Sequence, residues 1–431
     1  MGRAGVQHTP QASGSALTAA ARAAGARRGG PELDVWASCA PGTEPEVAAE
    51  LAALGWGPPR WPSGSWPTTT TAGLAWDRGA VHGRADLAAT MRTLWTARTV
   101  TRVMVRLAVV DLEGEHGGSD HGDQLKQVHE VITRLDLSRM PHAAFAVRAE
   151  RRGAQPFRSP ELAGVAGQAI IDAVRARTGR RLPVNLEQPV TEVRVELDHQ
   201  RLRVGYVLGA GFQRRPWLRA HHHAGLRPTA AAALLGYAGW ADGERLIDPL
   251  TGGGTIPIEA GLATLRWPVR ADDSERMRAL GLQDSRLSAE VRADLHAAAG
   301  RTRPLPIRGL ERYGNHVATA RANRSAAGLD DAVRIDQGDA TKMAGVDGFD
   351  CLVTNPPYGL RAGNPRVVAP LYEALLVRTS EHLATHGRAV VLTPAEEILR
   401  AAAATAGLAI IDERRMTLGK LDVTAFLLTH P

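Results

Sequence analysis

The chain has 431 residues, of which 44% are hydrophobic, and a formal net charge of +7 at pH 7. This length is typical of two or three domains rather than one. The longest apolar runs are far shorter than the roughly 20 residues of a membrane span, so we expect no membrane partner. Cys39 and Cys351 lack metal-ligand spacing, so we expect no metal site and a cytoplasmic protein with reduced thiols.

Positive charge is concentrated in one part of the sequence. Residues 141–220 contain 14 Arg and 7 acidic residues, a net +7 that equals the excess of the whole chain. The other residues contain 38 basic and 38 acidic side chains and are neutral together. This distribution is typical of a nucleic-acid-binding module attached to a neutral one.

Residues 1–32 are expected to form a disordered tail, because the first thirty have no hydrophobic centre. The same residues are Arg-rich and acid-free, which leaves a transit peptide as the alternative. A small α+β domain, residues 33–112, follows. Its first strand is predicted at 34–39, and Thr43 precedes Glu46 at the capping-box spacing that begins a helix.

A polar, turn-rich linker at residues 114–124 precedes the second unit. We interpret His116 and His121 in this linker as solvated rather than metal-binding.

The second unit covers residues 125–212. A strand is predicted at 145–147, and Ser159-Pro160-Glu161 is typical of a helix start, with Ser159 as its N-cap. Residues 192–197 and 202–208 alternate charged and apolar side chains on either side of a short turn. This alternation predicts an antiparallel hairpin with one solvated face.

Residues 213–228 form a linker that contains His221, His222 and His223 without acidic partners. From 229 to 431, strands alternate with helices, which is the pattern of a doubly wound α/β domain. Its strands are predicted at 245–248, 306–310, 332–335, 349–354, 389–392, 408–412 and 423–428.

The first of these strands leads into Asp-Pro-Leu-Thr-Gly-Gly-Gly-Thr, residues 248–255. Glycines let a backbone approach a ligand closely, and the following helix N-terminus offers free amides. The loop has neither the Lys-Ser or Lys-Thr pair of a P-loop nor the glycine pattern of a dinucleotide site. Considered alone, a tight structural turn explains it equally well.

Acidic residues follow the next two strands. Glu311 can accept both ribose hydroxyls of a nucleoside, or it can be a solvated surface residue. Asp339, followed by Ala340, can accept from an adenine amino group, or it can be a helix N-cap.

The fourth strand ends at Asn355-Pro356-Pro357-Tyr358. Two prolines fix φ and remove backbone donors, so this corner is stiff. It is either a rigid loop or a platform that holds an amide, a carbonyl and a ring for a ligand. Because unusual residues follow four successive strands, and ligands bind at the carboxyl ends of such strands, we favour a ligand site.

These four features resemble the S-adenosylmethionine-dependent methyltransferases that modify amino groups, whose fourth strand ends in the same four residues. Further motifs are similar to those of the THUMP-domain RNA guanine-N2 methyltransferases and cover nearly everything after residue 33. They are Ala-Ser-Cys-Ala-Pro-Gly-Thr-Glu at 37–44, Phe-Ala-Val-Arg-Ala-Glu-Arg-Arg-Gly at 145–153, Phe-Arg-Ser at 157–159, Leu-Arg-Pro-Thr-Ala-Ala at 226–231, Leu-Ile-Asp-Pro at 246–249 and Gly-Gly-Thr-Ile-Pro-Ile-Glu-Ala at 253–260.

The resemblance implies a Rossmann-like methyltransferase domain at 229–431, with a mostly parallel seven-stranded sheet and a C-terminal antiparallel hairpin. It also implies a ferredoxin-like domain at 33–112, a THUMP RNA-binding domain at 125–212, and a monomer. Thr-Ile-Pro-Ile-Glu at 255–259 and Tyr-Gly-Leu-Arg at 358–361 are most similar to the enzymes that methylate the acceptor-stem guanine at tRNA position six. Guanine-N2 methylation of large-subunit ribosomal RNA, or of another tRNA guanosine, is the alternative.

The implied cofactor is S-adenosylmethionine. Asp248 and the glycine loop would hold its methionine end, Glu311 its ribose and Asp339 its adenine. The cofactor-binding residues implied are Thr229, Asp248, Gly252, Gly253, Gly254, Thr255, Glu311, Asp339, Ala340 and Asn355.

The implied catalytic residues are Asn355, Pro356, Pro357 and Tyr358. The exocyclic amino group of guanine is a poor nucleophile because its lone pair is delocalised. The Asn355 side-chain oxygen and the Pro356 carbonyl would accept its two hydrogens and favour a pyramidal nitrogen, while Tyr358 stacks on the base.

For RNA, the resemblance implies that the THUMP module holds the 3′ end of a tRNA. The candidate residues are Arg148, Arg151, Arg152, Arg158 and Arg361; a generic solvated basic face is the alternative.

Two departures from the family pattern stand out. Family members often carry Cys in the glycine loop, where this chain has Thr251 and Gly252, so that cysteine is not needed for chemistry. Glu311 comes later than the usual spacing of about twenty residues. The excess, residues 267–304, is predicted to be an inserted helical segment.

Other protein classes share parts of this pattern. DNA amino methyltransferases and the glutamine methyltransferases of release factors also use Asn-Pro-Pro-Tyr, but neither explains the basic THUMP-like segment. A non-catalytic RNA-binding protein is expected to have lost Asn355 or the glycine loop, and this chain has both.

Overall fold

The computed structural model describes residues 15–23, 29–60, 69–113, 121–219, 225–270, 274–358 and 365–431. His116, the histidines at 221–223 and Arg361 lie outside these ranges. No helix in the described ranges is both long and apolar enough to cross a membrane. Cys39 and Cys351 are buried and not disulfide-bonded.

The N-terminal half contains one eight-stranded sheet with the order β2-β3-β4-β1-β5-β8-β7-β6. Its strands are β1 Glu32–Ser38, β2 Thr69–Thr71, β3 Leu74–Asp77, β4 Ala80–Asp86, β5 Arg102–Asp111, β6 Phe145–Arg152, β7 Thr191–Asp198 and β8 Arg201–Ala210. Its helices are α2 Glu44–Ala53, α3 Leu87–Thr96, α4 His121–Thr133 and α5 Ser159–Thr178, with α1 Ala16–Ala23 preceding them in the chain.

The two N-terminal units predicted from the sequence share this sheet. β5 of the first unit pairs antiparallel with β8 of the second from Arg102 to Asp111. One hydrophobic core extends through both units. We therefore treat residues 29–212 as a single N-terminal body.

The second sheet has the order β11-β10-β9-β12-β13-β15-β14. Its strands are β9 Leu246–Asp248, β10 Ile307–Glu311, β11 Arg334–Gln337, β12 Phe349–Thr354, β13 Leu383–Thr393, β14 Ala409–Leu418 and β15 Leu421–Thr429. The first five strands of this order are parallel, and β15 lies antiparallel between β13 and β14. The accompanying helices are α6 Pro228–Tyr237, α7 Thr255–Thr264, α8 Ser274–Ala279, α9 Ser285–Ala298, α10 Gly314–Ala326, α11 Pro365–His382 and α12 Glu396–Thr405.

The prediction of a wholly disordered tail is wrong for residues 16–23, which form α1. Leu17 and Ala21 are buried, and α1 packs against α2, α6 and α7. An Ala-rich segment of eight residues is too short to be a stable helix alone, so tertiary packing determines its structure.

The prediction of a solvated face on the hairpin β7–β8 is also wrong. Arg194 and Arg203 are 4% and 2% exposed. Arg194 pairs with Glu196 at 2.9 Å, and Arg203 pairs with Asp77 at 2.8 Å. Ion pairs within and between strands satisfy these charges, so an alternating pattern of charge here does not indicate contact with water.

The two predicted helix starts differ from the structure in detail. α2 begins at Glu44 with Thr43 at its N-cap position, as predicted, but the Thr43 hydroxyl donates to the Ala40 carbonyl at 2.7 Å and makes no capping hydrogen bond. The N-cap of α5 is Arg158 rather than Ser159, and the Arg158 amide donates to the Glu161 carboxylate at 3.1 Å.

The segment 267–304 contains two helices, α8 and α9, which confirms its helical prediction. Met277, Leu287 and Val291 on these helices belong to the core of the N-terminal body, not to the core of the second sheet. The insertion therefore leaves the C-terminal domain and packs against the N-terminal body.

Candidate active site

The candidate residues gather at one edge of the second sheet. Asp248 ends β9, Glu311 ends β10 and Thr354 ends β12. Because these strands are parallel neighbours, their carboxyl ends meet at the same edge. The long spacing between Asp248 and Glu311 is taken up by the insertion, so it does not separate them in space.

Asp248 is buried at the centre of this edge, with 2% exposure. Its Oδ1 accepts from the Thr354 hydroxyl at 2.7 Å and from the Leu250 amide at 3.3 Å. Burial raises the pKa of Asp248 to about 7, despite these donors. A cation placed beside this carboxyl would favour its ionised form.

The glycine loop turns sharply between β9 and α7. Gly252 and Gly254 have φ of +51° and +82°, a region that favours glycine. The Asn323 amide donates to the Gly253 carbonyl at 3.0 Å and holds the loop. A Cβ built at Gly252 would meet nothing within 4 Å, so the loop borders open space that a ligand can fill.

Glu311 joins the loop to the next strand. Its Oε2 accepts from the Gly252 amide at 3.1 Å, and its Oε1 accepts from the Tyr313 amide at 3.0 Å. Oε1 also lies 3.5 Å from Nδ1 of His316, so the acceptor position open to a ligand hydroxyl is on Oε2.

Asp339 follows β11 and is half-buried. Its Oδ1 accepts from both the amide and the hydroxyl of Thr341, at 2.9 and 2.7 Å. These bonds, the hydroxyl first, lower the pKa of Asp339. No helix lies between Asp339 and β12, a segment that the structure describes throughout, so Asp339 is not the N-cap of a helix, and its carboxylate instead closes a turn through one oxygen. Ala340 is buried beneath this edge.

Side-chain hydrogen bonds fix the Asn-Pro-Pro-Tyr corner. The Tyr358 hydroxyl donates to the Asn355 side-chain oxygen, which has a second lone pair available. The Tyr372 hydroxyl donates to the Pro357 carbonyl at 3.4 Å and shares a 2.8 Å bond with the Thr393 hydroxyl. Tyr358 also packs against the core of the second sheet, so its ring has a fixed orientation.

Two groups of predicted residues lie outside this edge. Thr229 is buried in the first turn of α6, which packs against α7, the helix of the glycine loop. The arginines predicted to bind RNA lie on β6, the last strand of the first sheet, and at the start of α5.

These arginines differ in their partners. Arg148 and Arg158 are exposed. Arg148 donates to the Leu186 carbonyl, and Arg151 donates to the Gly153 carbonyl at 3.2 Å. Because a carbonyl carries no net charge, these hydrogen bonds do not neutralise either arginine. Arg152 pairs with Glu150 at 3.2 Å and is partly neutralised.

A buried ion cluster that sequence reasoning missed lies on α7. The side chains of Arg215 and Glu259 are both 0% exposed and form two hydrogen bonds, of 2.8 and 3.0 Å. Arg98 of the N-terminal body donates to the carbonyls of Leu262 and Trp267 at 2.8 and 2.7 Å. The only signal in the sequence is an acidic residue within an apolar helix.

The chain therefore has the fold of a Rossmann-like methyltransferase, with candidate ligand-binding residues at its strand ends, attached to an N-terminal body with exposed arginines. Comparisons with known proteins agree. Residues 123–206 match the family model of the THUMP domain, and residues 215–424 match the RMKL-like methyltransferase domain. The chain belongs to the family of THUMP-domain guanine-N2 methyltransferases, which confirms the resemblance noted from its motifs, and it is a methyltransferase.

Three relatives illustrate the similarity. The tRNA (guanine(6)-N2)-methyltransferase of Archaeoglobus fulgidus is 33% identical over 327 residues, 75% of this chain and 77% of the relative. The enzyme of the same name from Methanocaldococcus jannaschii is 26% identical over 360 residues, 82% of this chain and 92% of the relative. The ribosomal RNA large subunit methyltransferase K/L of Chromohalobacter salexigens is 30% identical over 357 residues, 80% of this chain and 46% of the relative.

Solved structures share the fold. SMU.472, solved as a complex with SAH, has a TM-score of 0.74 at 20% identity, covering 93% of this chain and 98% of that one. TrmN from Thermus thermophilus has a TM-score of 0.64 at 24% identity, covering 93% of this chain and all of the other.

Proposed function

We propose that this protein transfers a methyl group from S-adenosylmethionine to the exocyclic N2 of a guanosine in tRNA, at position six of the acceptor stem. The observation that carries the chemistry is the bond between Thr354 and Asp248, which joins the Asn355 corner to the glycine-loop strand at 2.7 Å. The choice of substrate is supported by the two archaeal relatives, each of which matches three quarters or more of this chain.

The residues at the sheet edge fit this cofactor. The Asp248 carboxylate would bind the ammonium of the methionine end, and the open side of Gly252 leaves room for its backbone. Glu311 would accept the ribose hydroxyls, and Asp339 with Ala340 would border the adenine. The N-terminus of α7 at Thr255 adds free amides. Bound there, S-adenosylmethionine would supply an electrophilic methyl group.

The Asn355 corner would activate the guanine amino group by geometry. The remaining lone pair of the Asn355 oxygen and the Pro356 carbonyl would accept the two amino hydrogens and favour a pyramidal nitrogen. The Tyr358 hydroxyl holds the Asn355 amide in place, and its ring would set the plane of the base. No strong base is required, because the methylated nitrogen loses its proton readily to water.

The N-terminal body would present the RNA. Arg148, Arg151, Arg152 and Arg158 would bind the 3′ end of the tRNA in the THUMP module, and Arg361, which lies outside the described residues, would also contact RNA. The target base must leave its stem to reach this corner, so we expect base flipping or local opening.

A ribosomal substrate is the second candidate. It is favoured by the relative from Chromohalobacter salexigens, which matches most of this chain at 30% identity. This chain spans about half the length of that enzyme, 46%, so the similarity does not extend to the whole protein.

The test is a methyl-transfer assay on unmodified tRNA transcripts and on large-subunit ribosomal RNA, followed by nuclease mapping of the labelled product. We expect N2-methylguanosine in the tRNA acceptor stem. Label in ribosomal RNA alone would retain the chemistry and overturn the substrate. Cofactor binding without transfer to either RNA would contradict the proposal.

A further inference from the structure

A cavity of about 510 Å³ lies between the N-terminal body and the second sheet. This volume is within the range of about 300–1,000 Å³ that is typical of ligand sites. The lining residues that matter here are Pro41 and Arg78 from one side and Pro394, Arg415, Thr417 and Asp422 from the other. Neither the methyl-donor site nor the THUMP arginines include any of them.

The two walls of the cavity are joined rigidly. The Thr417 amide, on edge strand β14, donates to the Pro41 carbonyl at 2.9 Å. Arg414, beside Arg415, forms an ion pair with the buried Glu46 of α2. The cavity is therefore a built feature of the interface rather than a gap between independent units.

The cavity lies along the same sheet edge as the catalytic corner. Arg415 is in register with Thr424, and Thr424 is in register with Thr393, one residue before Pro394. Thr393 is linked through Tyr372 to the Pro357 carbonyl. Since neighbouring strands are about 4.8 Å apart, Arg415 lies roughly three spacings, or about 14 Å, from β12.

Arg78 and Arg415 bring two guanidinium groups to this cavity from opposite walls. Both are exposed, and neither forms an ion pair within 4 Å with a described residue. Glu413, the nearest acid on the strand of Arg415, is bound by Arg400. This differs from Arg194, Arg201 and Arg203 of the first sheet, which are all paired.

Two acidic side chains, Asp422 and Glu396, also line the cavity, and each is held by a threonine hydroxyl. Asp422 accepts from the Thr417 hydroxyl at 2.8 Å, and Glu396 accepts from the Thr424 hydroxyl at 2.6 Å. Neither carboxylate forms an ion pair with Arg78 or Arg415, and Glu396 instead lies 3.9 Å from Arg400. A guanidinium forms its strongest hydrogen bonds with an anion that offers two oxygens, such as a phosphate.

We propose that this cavity binds a backbone phosphate of an RNA nucleotide flanking the target guanosine, with Arg78 and Arg415 as its ligands from opposite walls. The N-terminal body then contributes directly to holding the opened strand, in addition to its THUMP surface. The inference rests on the proposed function for the identity of the target base. The phosphate contact itself applies to any RNA that the enzyme methylates.

The first test compares Arg78→Ala, Arg415→Ala and the double variant with Arg286→Ala. Arg286 is a matched control because its side chain is 90% exposed on α9 and outside the cavity. We expect each cavity variant to weaken RNA binding several-fold and to reduce the slope of log K against log salt by about 0.7 to 0.9, the contribution of one phosphate contact. Cofactor affinity and Tm are expected to stay at wild-type values.

The second test locates the phosphate. Single methylphosphonate linkages, which carry no charge, are placed on either side of the guanosine that wild-type enzyme methylates. We expect one linkage to weaken wild-type binding and to have no further effect in the double variant.

Two outcomes would overturn the inference: cavity variants with the affinity and salt slope of Arg286→Ala, or full additivity between the variants and every methylphosphonate. These measurements use whichever RNA the wild-type enzyme methylates. A ribosomal target would therefore refute the tRNA proposal, but the test of the phosphate contact would still apply.

Discussion

Arg215 and Glu259 form a fully buried pair with two hydrogen bonds of 2.8 and 3.0 Å. The pair joins the segment after β8 to the helix that carries the glycine loop. Arg215 also donates to the carbonyl of Arg98 at 2.8 Å, so the cluster ties the N-terminal body to the cofactor side of the second sheet.

Removing one member of this pair is expected to destabilise the protein strongly. Glu259 pairs with Arg215 and also lies 3.7 Å from the Arg98 guanidinium, so Glu259→Leu leaves two buried guanidinium groups without their carboxylate. We expect the free energy of unfolding to fall by about 3–5 kcal/mol. Urea denaturation measures this loss. The double variant Arg215→Met/Glu259→Leu is expected to lose less than the sum of the two single variants, because fewer unpaired charges remain. Additive losses would contradict the coupling.

The pKa of Asp248 predicts a pH dependence of stability in the cofactor-free protein. Burial raises this pKa from 3.8 to about 7, so the folded state holds a proton that the unfolded state releases. The stabilisation is complete below pH 4 and is lost as the pH rises from about 4 to about 7. In thermal denaturation, we expect the Tm of Asp248→Asn not to show this decrease between pH 4 and pH 7. Identical dependence of Tm on pH in the wild-type protein and in Asp248→Asn would refute the prediction.

The same group predicts that cofactor affinity depends on pH. A bound ammonium favours the ionised carboxylate, so we expect the Kd of S-adenosylmethionine to fall as the pH rises from 5.5 to about 7, by up to about tenfold per unit. Calorimetric titration measures Kd. In Asp248→Asn, binding should be weaker and nearly independent of pH in this range; an unchanged pH profile would exclude Asp248 from the methionine-end site.

Asn355 and Tyr358 are expected to affect transfer rather than cofactor binding. Asn355→Ala removes an acceptor aimed at the amino group, and we expect kcat to fall by about 10²–10³-fold. Tyr358→Phe keeps the ring but removes the hydrogen bond that holds the Asn355 amide. Because one such hydrogen bond contributes about 1 kcal/mol, we expect kcat to fall roughly fivefold. Single-turnover methyl transfer with saturating cofactor measures the transfer step separately from cofactor binding. Retained activity in Asn355→Ala would refute the mechanism.

Gly42 is expected to tolerate no side chain. Its φ is +93°, and a Cβ there would lie 2.1 Å from the carbonyl oxygen of Arg415. Gly243 has the same φ but nothing within 4 Å of its Cβ position, so it is a matched control. Gly243→Ala is expected to cost about 1–2 kcal/mol of unfolding free energy through φ alone. Gly42→Ala should reduce the free energy of unfolding, measured by urea denaturation, clearly more than Gly243→Ala does. Equal losses in the two variants would show that the backbone at this interface shifts without cost to accommodate the Cβ.

Local features of the chain were predictable from the sequence. The bounds predicted for β12, residues 349–354, match the structure, and each of the other six strands predicted in the C-terminal domain overlaps an observed strand. The positions of Asp248, Glu311 and Asn355 at strand ends followed from the same pattern. Such predictions succeed because apolar periodicity and turn chemistry act over a few residues.

The sequence by itself determined the alternating strands and helices, the glycine loop and the Asn355 corner, since each depends on neighbours in the chain. Only the tertiary structure decided that two N-terminal units share one sheet, that α1 is helical and that Arg194 and Arg203 are buried. It also decided which groups accept hydrogen bonds from Arg98, because one of them, the Leu262 carbonyl, is 164 residues away in the chain. Burial of a charge depends on partners that only folding brings together, so no local pattern could reveal these contacts or the cavity between Arg78 and Arg415.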